Sequence, residues 1–362
     1  MGVPQFGFLE YLPSLDRSSG ALLILGGIVT MVWVKFIICI LIIFYFGRKV
    51  AVYGDVIAER TGLGGLWIGV VLIAWVTSLP ELFTGISAIV LVGIPDLTIG
   101  NLFGANTYNL LNLAALDIAY RNGSLLAATR PGHRLTTWFA MVLVLIPAAS
   151  IFISARYSTM GIGWIGLYTP LLIVLYLVFA REIFRFEKSL PLPEAEDLTP
   201  EEEYDRMPMG RVYLYFTISA AFIIGAGIWL ALVGEEIAVV TGLGESLVGS
   251  LFIGFTTTLP EITVSFTALR IGALDLAVAN MMGSNLLNMT IFAVGDLLYL
   301  PGPMLVAASQ THLLTAFMVL VMMGLFIAGH RFRPKKFLRL SWYSLPTIAL
   351  FLLGYYLNFT LS

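Results

Sequence analysis

Long apolar runs, each about 20 residues and separated by short polar stretches, recur along nearly the whole chain. A run of that length is enough for an α-helix to cross the hydrocarbon core of a bilayer. The pattern predicts ten spans, with boundaries good to a few residues. They are centred in 24–52, 66–92, 98–118, 135–155, 161–180, 212–234, 246–269, 276–300, 306–329 and 338–358. We therefore predict an all-α integral membrane protein.

The composition agrees with this fold class. The chain is 59% hydrophobic and 12% charged, with a mean hydropathy of +0.92, whereas soluble domains carry roughly 25% charged residues. The single cysteine, Cys39, excludes an internal disulfide framework and a cysteine metal cluster. His133, His312 and His330 stand at segment ends and are interpreted as interfacial. The first apolar run, 21–46, is too long for a cleavable signal peptide. Neither a nucleic-acid partner nor an obligate protein partner is indicated.

One long polar stretch, 185–210, is acidic and contains prolines, which favours a solvated linker. A calcium-regulatory role for Glu201, Glu202 and Glu203 is the alternative, but the stretch is too short to hold a folded sensor domain. The linker separates the predicted units 1–184 and 211–362.

The distribution of basic residues orients the predicted bundle. Arg17 and Arg156 fall on one face, and nearly all other Lys and Arg residues fall on the opposite face or its flanks. Because basic loops face the cytosol, both termini are expected outside and the linker inside. The predicted location is the plasma (inner) membrane, crossed many times.

The two units are copies of each other. Laying 61–81 over 241–261 gives ten identities in 21 positions without a gap, at an offset of 180. After a one-residue deletion, a matched series of polar residues continues in both copies: Asp96, Asn101, Gly104, Asn106 and Asn109 against Asp275, Asn280, Gly283, Asn285 and Asn288. Copies of five spans enter the membrane from opposite sides. This predicts two inverted-topology repeats with a site at the midplane, carried by 74–113 and 254–292.

Each copy carries a Pro-Glu pair inside a span. Pro80 is expected to break its helix and to free carbonyls near Val76 and Thr77. Such backbone is tolerated at membrane depth only beside a cavity or within protein. The side-chain oxygens brought there are those of Glu81, Thr77 and Ser78, mirrored by Glu261, Thr257 and Thr258. Hard cations prefer oxygen ligands. A site with two carboxylates can be balanced by one divalent ion, two monovalent ions or two protons, and their competition is the basis of exchange.

Amide side chains follow one face of the third and eighth spans. Asn109 and Asn288 are interpreted as lining or ligating the site. The remaining amides, Asn101, Asn106, Asn280 and Asn285, are interpreted as hydrogen-bonding between helices. Asp117 and Asp296 lie eight residues further on, about 12 Å toward the surface. They are expected to be solvated at helix ends, with an ion vestibule as the alternative.

The paired motifs TSLPE at 77–81 and TTLPE at 257–261, each followed by a GxN stripe, resemble the sodium/calcium exchanger family within the cation/calcium antiporter superfamily. The resemblance implies a core of eight helices across which helices one and six slide. It also implies a divalent-cation site formed by Glu81, Glu261 and the backbone carbonyls of Thr77 and Thr257. The sodium sites it implies use Ser78, Thr258, Ser284 and the carbonyls of Ala74 and Gly254.

Two departures from the family pattern concern the driving ion. Asn288 stands where the family often has aspartate, and Ala105 stands where it usually has serine. The predicted function is a cation antiporter that exchanges Ca²⁺ for Na⁺ by alternating access, with no tightly bound cofactor. An H⁺-coupled antiporter for Ca²⁺ or another cation is the alternative, and an ion channel is a weaker one. An intramembrane enzyme is disfavoured because no nucleophile or histidine partner accompanies the glutamates.

Overall fold

The computed structural model describes residues 19–154, 161–189, 207–241, 254–332 and 341–361. These residues are almost entirely helical. The main helices are α1 (Ser19–Thr61), α2 (Gly65–Val92), α3 (Pro95–Ala119), α4 (Gly132–Ser154), α5 (Tyr168–Ser189), α6 (Met209–Thr241), α7 (Leu259–Arg270), α8 (Leu274–Leu298), α9 (His312–Phe332) and α10 (Ser344–Leu361). Most of the predicted linker, with Glu201, Glu202 and Glu203, lies outside the described residues, as do Arg17 and Arg156.

Six of the described helices are long and apolar enough to cross a membrane. They are α1 from Val29, α2, α4, α6 to Ile237, α8 and α9. The last helix, α10, is apolar but shorter over Ser344–Asn358. The chain is therefore a multi-pass membrane protein, as the hydropathy predicts.

The start of the predicted fifth span is wrong. Residues 161–166 form a small antiparallel hairpin, β1 (Gly161–Ile162) and β2 (Ile165–Gly166), and α5 begins only at Tyr168. Gly163 in the turn has a φ of +65°, which glycine adopts without steric cost. The apolar Ile and Trp residues of this segment raise the hydropathy, but its closely spaced glycines favour a turn.

Matched glycines separate the helices of each repeat. Gly93 ends α2 in the left-handed conformation with a φ of +76°, and Pro95 then starts α3. Gly272 has a φ of +86° between α7 and α8. Glycine just past a helix end and proline in the next first turn are the usual punctuation of two helices in sequence.

The expected helix break at Pro80 is wrong for the first repeat. Helical structure continues through Pro80 from Ala74 to Ser87, flanked by wide π turns at Ile68–Ile73 and Ala88–Val92. Such turns redistribute backbone hydrogen bonds along a helix and often mark functional positions. The second repeat does break: Thr258 leaves the helical conformation, and α7 starts with Pro260 in its first turn.

Helix α8 is the centre of the bundle, because 94% of its most apolar 18-residue stretch is buried inside the protein. It packs against α2, α3, α4, α5 and α7. Helices α1 and α6 lie along each other at one side, where α1 also contacts α7 and α6 also contacts α2. Gly227 of α6 allows close packing at the middle of the bundle. A Cβ atom there would lie 2.5 Å from Pro80 Cγ and 3.4 Å from Pro260 Cγ.

The expectation that Asp117 and Asp296 are solvated is wrong, because both side chains are fully buried. Each carboxylate accepts a backbone N–H from the loop eight residues later, Leu125 at 2.7 Å and Met304 at 2.6 Å. The further donors are Ser124, Ser341 and Ser344 for Asp117, and Gly166, Tyr168 and Thr169 for Asp296. The two carboxylates therefore hold loops and neighbouring helices at the ends of α3 and α8.

The three histidines lie at or next to helix ends, as the sequence indicates, and their side chains are buried within the protein. His312 contacts Asp96 at 2.9 Å, and His133 contacts Asp275 at 2.8 Å. Asp96 and Asp275 are matched positions at the starts of α3 and α8. The histidines begin α9 and α4, so each contact ties one repeat to the other.

Candidate cation site

The two motif glutamates are buried inside the bundle. Glu81 on α2 and Glu261 on α7 are each 1% exposed. The hydroxyl of Ser78 on α2 donates a hydrogen bond to Glu261 Oε1 at 3.1 Å. Side chains from both repeats thus share one buried acidic centre.

Four oxygen atoms of the predicted site residues are buried and have no hydrogen-bond partner among the described residues. They are Oε2 of Glu81 and Glu261 and Oδ1 of Asn109 and Asn288. Buried polar atoms in proteins nearly always have partners. All four are acceptors when the carboxylates are ionised, so a cation or a hydrogen-bond donor would complement them.

A chain of hydrogen-bonded amides connects α3 with α8. Asn288 Nδ2 donates to Asn106 Oδ1 at 3.0 Å, and Asn109 Nδ2 donates to Asn285 Oδ1 at 3.1 Å. Asn106 Nδ2 also donates to the backbone carbonyl of Asn285 at 3.4 Å. The hydrogen-bonding role predicted for Asn106 and Asn285 is confirmed. These bonds fix the Asn109 and Asn288 amides through their nitrogens and leave their oxygens unpartnered.

The other two stripe amides also join helices, as predicted. Asn280 on α8 donates to Ser265 Oγ on α7 at 3.0 Å and accepts from Thr77 on α2 at 3.1 Å. Asn101 on α3 donates to Thr84 Oγ1 on α2 at 3.5 Å. Asn280 therefore bridges the two helices that carry the glutamates.

Hydroxyl groups predicted as ligands divide into two sets. Thr77 Oγ1 lies 3.5 Å from Ser284 Oγ, and both side chains are fully buried next to Asn280. In the second repeat, the hydroxyls of Thr257 and Thr258 donate to the carbonyl of Gly254 at 3.1 and 3.0 Å. The Gly254 carbonyl oxygen thus already accepts hydrogen bonds from residues three and four positions later in the chain. The Ala74 carbonyl lies 3.4 Å from Thr77 Oγ1.

Two residues near the site were missed by the sequence analysis. Ser265 aligns with Gly85, so a comparison of the repeats conceals it. Tyr108 packs against Gly254, where a Cβ atom would lie 2.3 Å from the ring. A tyrosine next to Asn109 in an apolar helix has no sequence feature that marks it as part of the site.

Buried acidic and amide oxygens inside a bundle with six helices able to cross a membrane are typical of membrane transport proteins. A sequence model of the sodium/calcium exchanger protein family matches residues 31–181 and 211–362. The chain belongs to the sodium/calcium exchanger family, and this confirms the resemblance of the paired motifs. Proteins of this family are transporters.

Two curated bacterial proteins are similar in sequence. Inner membrane protein YrbG of Escherichia coli strain K12 is 24% identical over 273 residues, covering 74% of this chain and 79% of YrbG. CaxA of Alkalimonas amylolytica, which is provisionally named an antiporter, is 22% identical over 265 residues, covering 73% of this chain and 80% of CaxA.

Solved structures of the sodium-calcium exchanger NCX_Mj share the fold. The structure soaked with 2.5 mM Na⁺ and 0.1 mM Sr²⁺ has a TM-score of 0.67 at 18% identity. The match covers 90% of this chain and 98% of that one. At this identity the likeness shows the architecture.

Proposed function

We propose that the chain is a secondary active antiporter that exchanges Ca²⁺ for Na⁺ at the buried centre between its two repeats. The observation that carries the proposal is the set of four unpartnered buried oxygens, two from carboxylates and two from amides. Ca²⁺ takes six to eight oxygen ligands, and Na⁺ is a hard cation of the same preference. Membership of the exchanger family and the name of CaxA support the same function.

The proposed ligands of Ca²⁺ are Glu81, Glu261, Asn109 and Asn288, with the backbone carbonyls of Thr77 and Thr257. Those proposed for Na⁺ are Ser78, Thr258, Ser284 and the carbonyls of Ala74 and Gly254. Thr258 and Gly254 bond to each other in this structure, so they would have to separate before binding an ion. Competition of Ca²⁺ and Na⁺ for the same two carboxylates couples their movements.

Ca²⁺ uptake into proteoliposomes tests this function. An outward Na⁺ gradient is expected to drive ⁴⁵Ca²⁺ accumulation, and Glu81→Gln or Glu261→Gln is expected to abolish it, because each removes a charge that the cation needs. Glu182→Gln is the matched control, since Glu182 lies at an exposed position where it pairs with Arg185. Accumulation driven by a pH gradient and indifferent to Na⁺ would assign the coupling to H⁺ instead. Single-channel currents would contradict an antiporter.

The proposed topology has ten spans in two inverted repeats, 1–184 and 211–362, with both termini outside and the 185–210 linker in the cytosol. Alternating access then opens the site to one face at a time. YrbG, an inner membrane protein by name, supports an inner-membrane location. Single cysteines placed in the linker in a Cys39→Ala background should react with impermeant maleimide only after the membrane is opened. Labelling of intact cells would contradict this orientation.

A further inference from the structure

The ring of Tyr108 lies directly against the backbone of Gly254. Tyr108 stands on α3 next to the proposed ligand Asn109, and its side chain is buried. A Cβ atom at Gly254 would lie 2.3 Å from Cε2 of the ring and 3.0 Å from Cδ2. Both distances are shorter than van der Waals contact, since the best separation of two carbon atoms is about 3.5–4.0 Å. Only glycine therefore fits against the ring where it stands.

Contacts with α10 keep the Tyr108 ring in place. The ring centroid lies 4.9 Å from that of Phe351 and 5.7 Å from that of Tyr355, and both pairs of rings are edge to face. This is one of the favourable arrangements of two aromatic rings. The side chains of Tyr108 and Tyr355 are also hydrogen-bonded to each other. Because α3 carries the ring and α10 braces it, Tyr108 is a rigid support for the Gly254 backbone.

Gly254 supplies a carbonyl oxygen to the proposed Na⁺ site. In this structure the oxygen accepts hydrogen bonds from the hydroxyls of Thr257 and Thr258 and from the backbone N–H of Thr258. A group that binds a ligand has to be held within about 0.5 Å of its productive position. A carbonyl oxygen moves with the backbone that carries it. The contact between Tyr108 and Gly254 therefore limits where this oxygen can lie.

The matched position in the first repeat is built differently. In the alignment of the two repeats, Ala74 corresponds to Gly254 and Leu287 corresponds to Tyr108. Ala74 packs against Gly283, where a Cβ atom would lie 2.9 Å from Ala74 Cβ. The aromatic support is therefore specific to the carbonyl of the second repeat.

We propose that Tyr108 is a positioning residue for Na⁺, whose ring holds the Gly254 backbone where its carbonyl oxygen can become a Na⁺ ligand. The inference rests on the proposed function, in which this carbonyl binds Na⁺ and is not among the ligands of Ca²⁺. Its direct consequence is that a change at Tyr108 alters the dependence of exchange on Na⁺ and leaves the dependence on Ca²⁺ nearly unchanged.

Two fluxes in proteoliposomes of the full chain separate these dependences. Uptake of ⁴⁵Ca²⁺ under an outward Na⁺ gradient gives the Na⁺ concentration for half-maximal exchange. Exchange of ⁴⁵Ca²⁺ for unlabelled Ca²⁺ without Na⁺ gives the corresponding Ca²⁺ concentration and shows that a variant is folded.

Tyr108→Leu places the matched residue of the first repeat beside Gly254. It is expected to raise the half-maximal Na⁺ concentration about tenfold, because the Gly254 backbone loses its rigid support. The half-maximal Ca²⁺ concentration is expected to stay nearly the same. Tyr108→Phe keeps the ring and is expected to leave both concentrations near those of the unmodified protein.

Gly254→Ala offers a reciprocal test, because it keeps the carbonyl but its methyl group meets the Tyr108 ring. It is expected to raise the half-maximal Na⁺ concentration as well. Combined with Tyr108→Leu it recreates the residue pair of the first repeat, and the double variant is expected to need less Na⁺ than Gly254→Ala alone. Such non-additive effects are typical of residues in contact.

Three results would overturn the positioning role while the exchange function stands. They are an unchanged Na⁺ dependence in Tyr108→Leu, equal shifts of its Na⁺ and Ca²⁺ dependences, and additive effects of the two substitutions. Absence of Na⁺-driven uptake by the unmodified protein would overturn the proposed function and this inference with it.

Discussion

Ser78 links the two halves of the site through one hydroxyl group. It lies one helical turn before Glu81 on α2, and its hydroxyl donates to Glu261 on α7. Because hydrogen bonds to charged groups are among the stronger ones in proteins, this contact helps to hold the second glutamate toward the first. In the proposed function the same oxygen also binds Na⁺.

Removal of that hydroxyl should weaken Na⁺ binding. Hydrogen bonds to charged groups contribute about 1.5–3 kcal/mol, so Ser78→Ala is expected to raise the Na⁺ concentration for half-maximal exchange by about tenfold or more. The Na⁺ dependence of ⁴⁵Ca²⁺ flux measures this. Ser87→Ala, further along the same helix, is the control. An unchanged Na⁺ dependence in Ser78→Ala would show that the hydroxyl is not a ligand.

The ends of α3 and α8 are held by buried carboxylates rather than by solvent. Asp117 and Asp296 occupy matched positions in the two repeats, and each accepts hydrogen bonds from a loop and from a neighbouring helix. The central helices, which carry the amides of the site, are thereby fixed at the ends remote from Asp96 and Asp275. A rigid frame of this kind keeps the amide oxygens at a constant spacing.

Loss of one such carboxylate should destabilise the protein. Asp296→Asn replaces one acceptor oxygen with an NH₂ group that faces donors, and buried unpaired groups cost about 1–3 kcal/mol each. The Tm of the detergent-purified protein is expected to fall by several degrees. Glu182→Gln, at an exposed site, should leave the Tm nearly unchanged. Equal values for the two variants would contradict the buried network.

The limits of sequence reasoning follow from where the partners of each residue lie. Glu81 and Glu261 could be found because rare residues in an apolar background recur at one offset. The burial of Asp296 could not be found in this way, because its partners come from the hairpin before α5, from α5 itself and from the segment after α8. The histidines follow the same rule. His133 and His312 are matched residues, but their contacts with Asp275 and Asp96 join different repeats and become visible only in three dimensions.

Local propensity predicts a helix break at Pro80 that the structure does not have, for a related reason. Proline removes one backbone hydrogen bond, but the sequence does not show that helical structure continues through Pro80 between the wide turns at Ile68–Ile73 and Ala88–Val92 of α2. Pro260, in the same motif, does stand at a helix start. The two copies therefore differ in backbone structure although their motifs match.

Helices α1 and α6 form a pair at one side of the bundle. Helices α1 and α6 pack along each other, and Lys35 of α1 pairs with Glu236 of α6 at 2.9 Å. Helices α2, α3, α4, α5 and α7 pack around α8, and α9 and α10 pack against α3. The resemblance to the exchanger family implies that α1 and α6 slide together across this core. Contacts within the pair should then survive transport, and contacts between the pair and the core should change.

Covalent links distinguish these two kinds of contact. In a Cys39→Ala background, Gly47→Cys with Thr263→Cys joins α1 to α7, where a Cβ atom at Gly47 would lie 3.3 Å from Thr263 Cβ, close to the spacing of a disulfide. Oxidation is expected to stop Ca²⁺ exchange reversibly. Lys35→Cys with Glu236→Cys, bridged by a short bifunctional thiol reagent, joins α1 to α6 and should leave exchange running. A link can block only relative motion between the two helices that it joins. Transport that survives the α1–α7 link would therefore show that α1 does not slide across the core, and transport that the α1–α6 link stops would show that α1 and α6 do not move together.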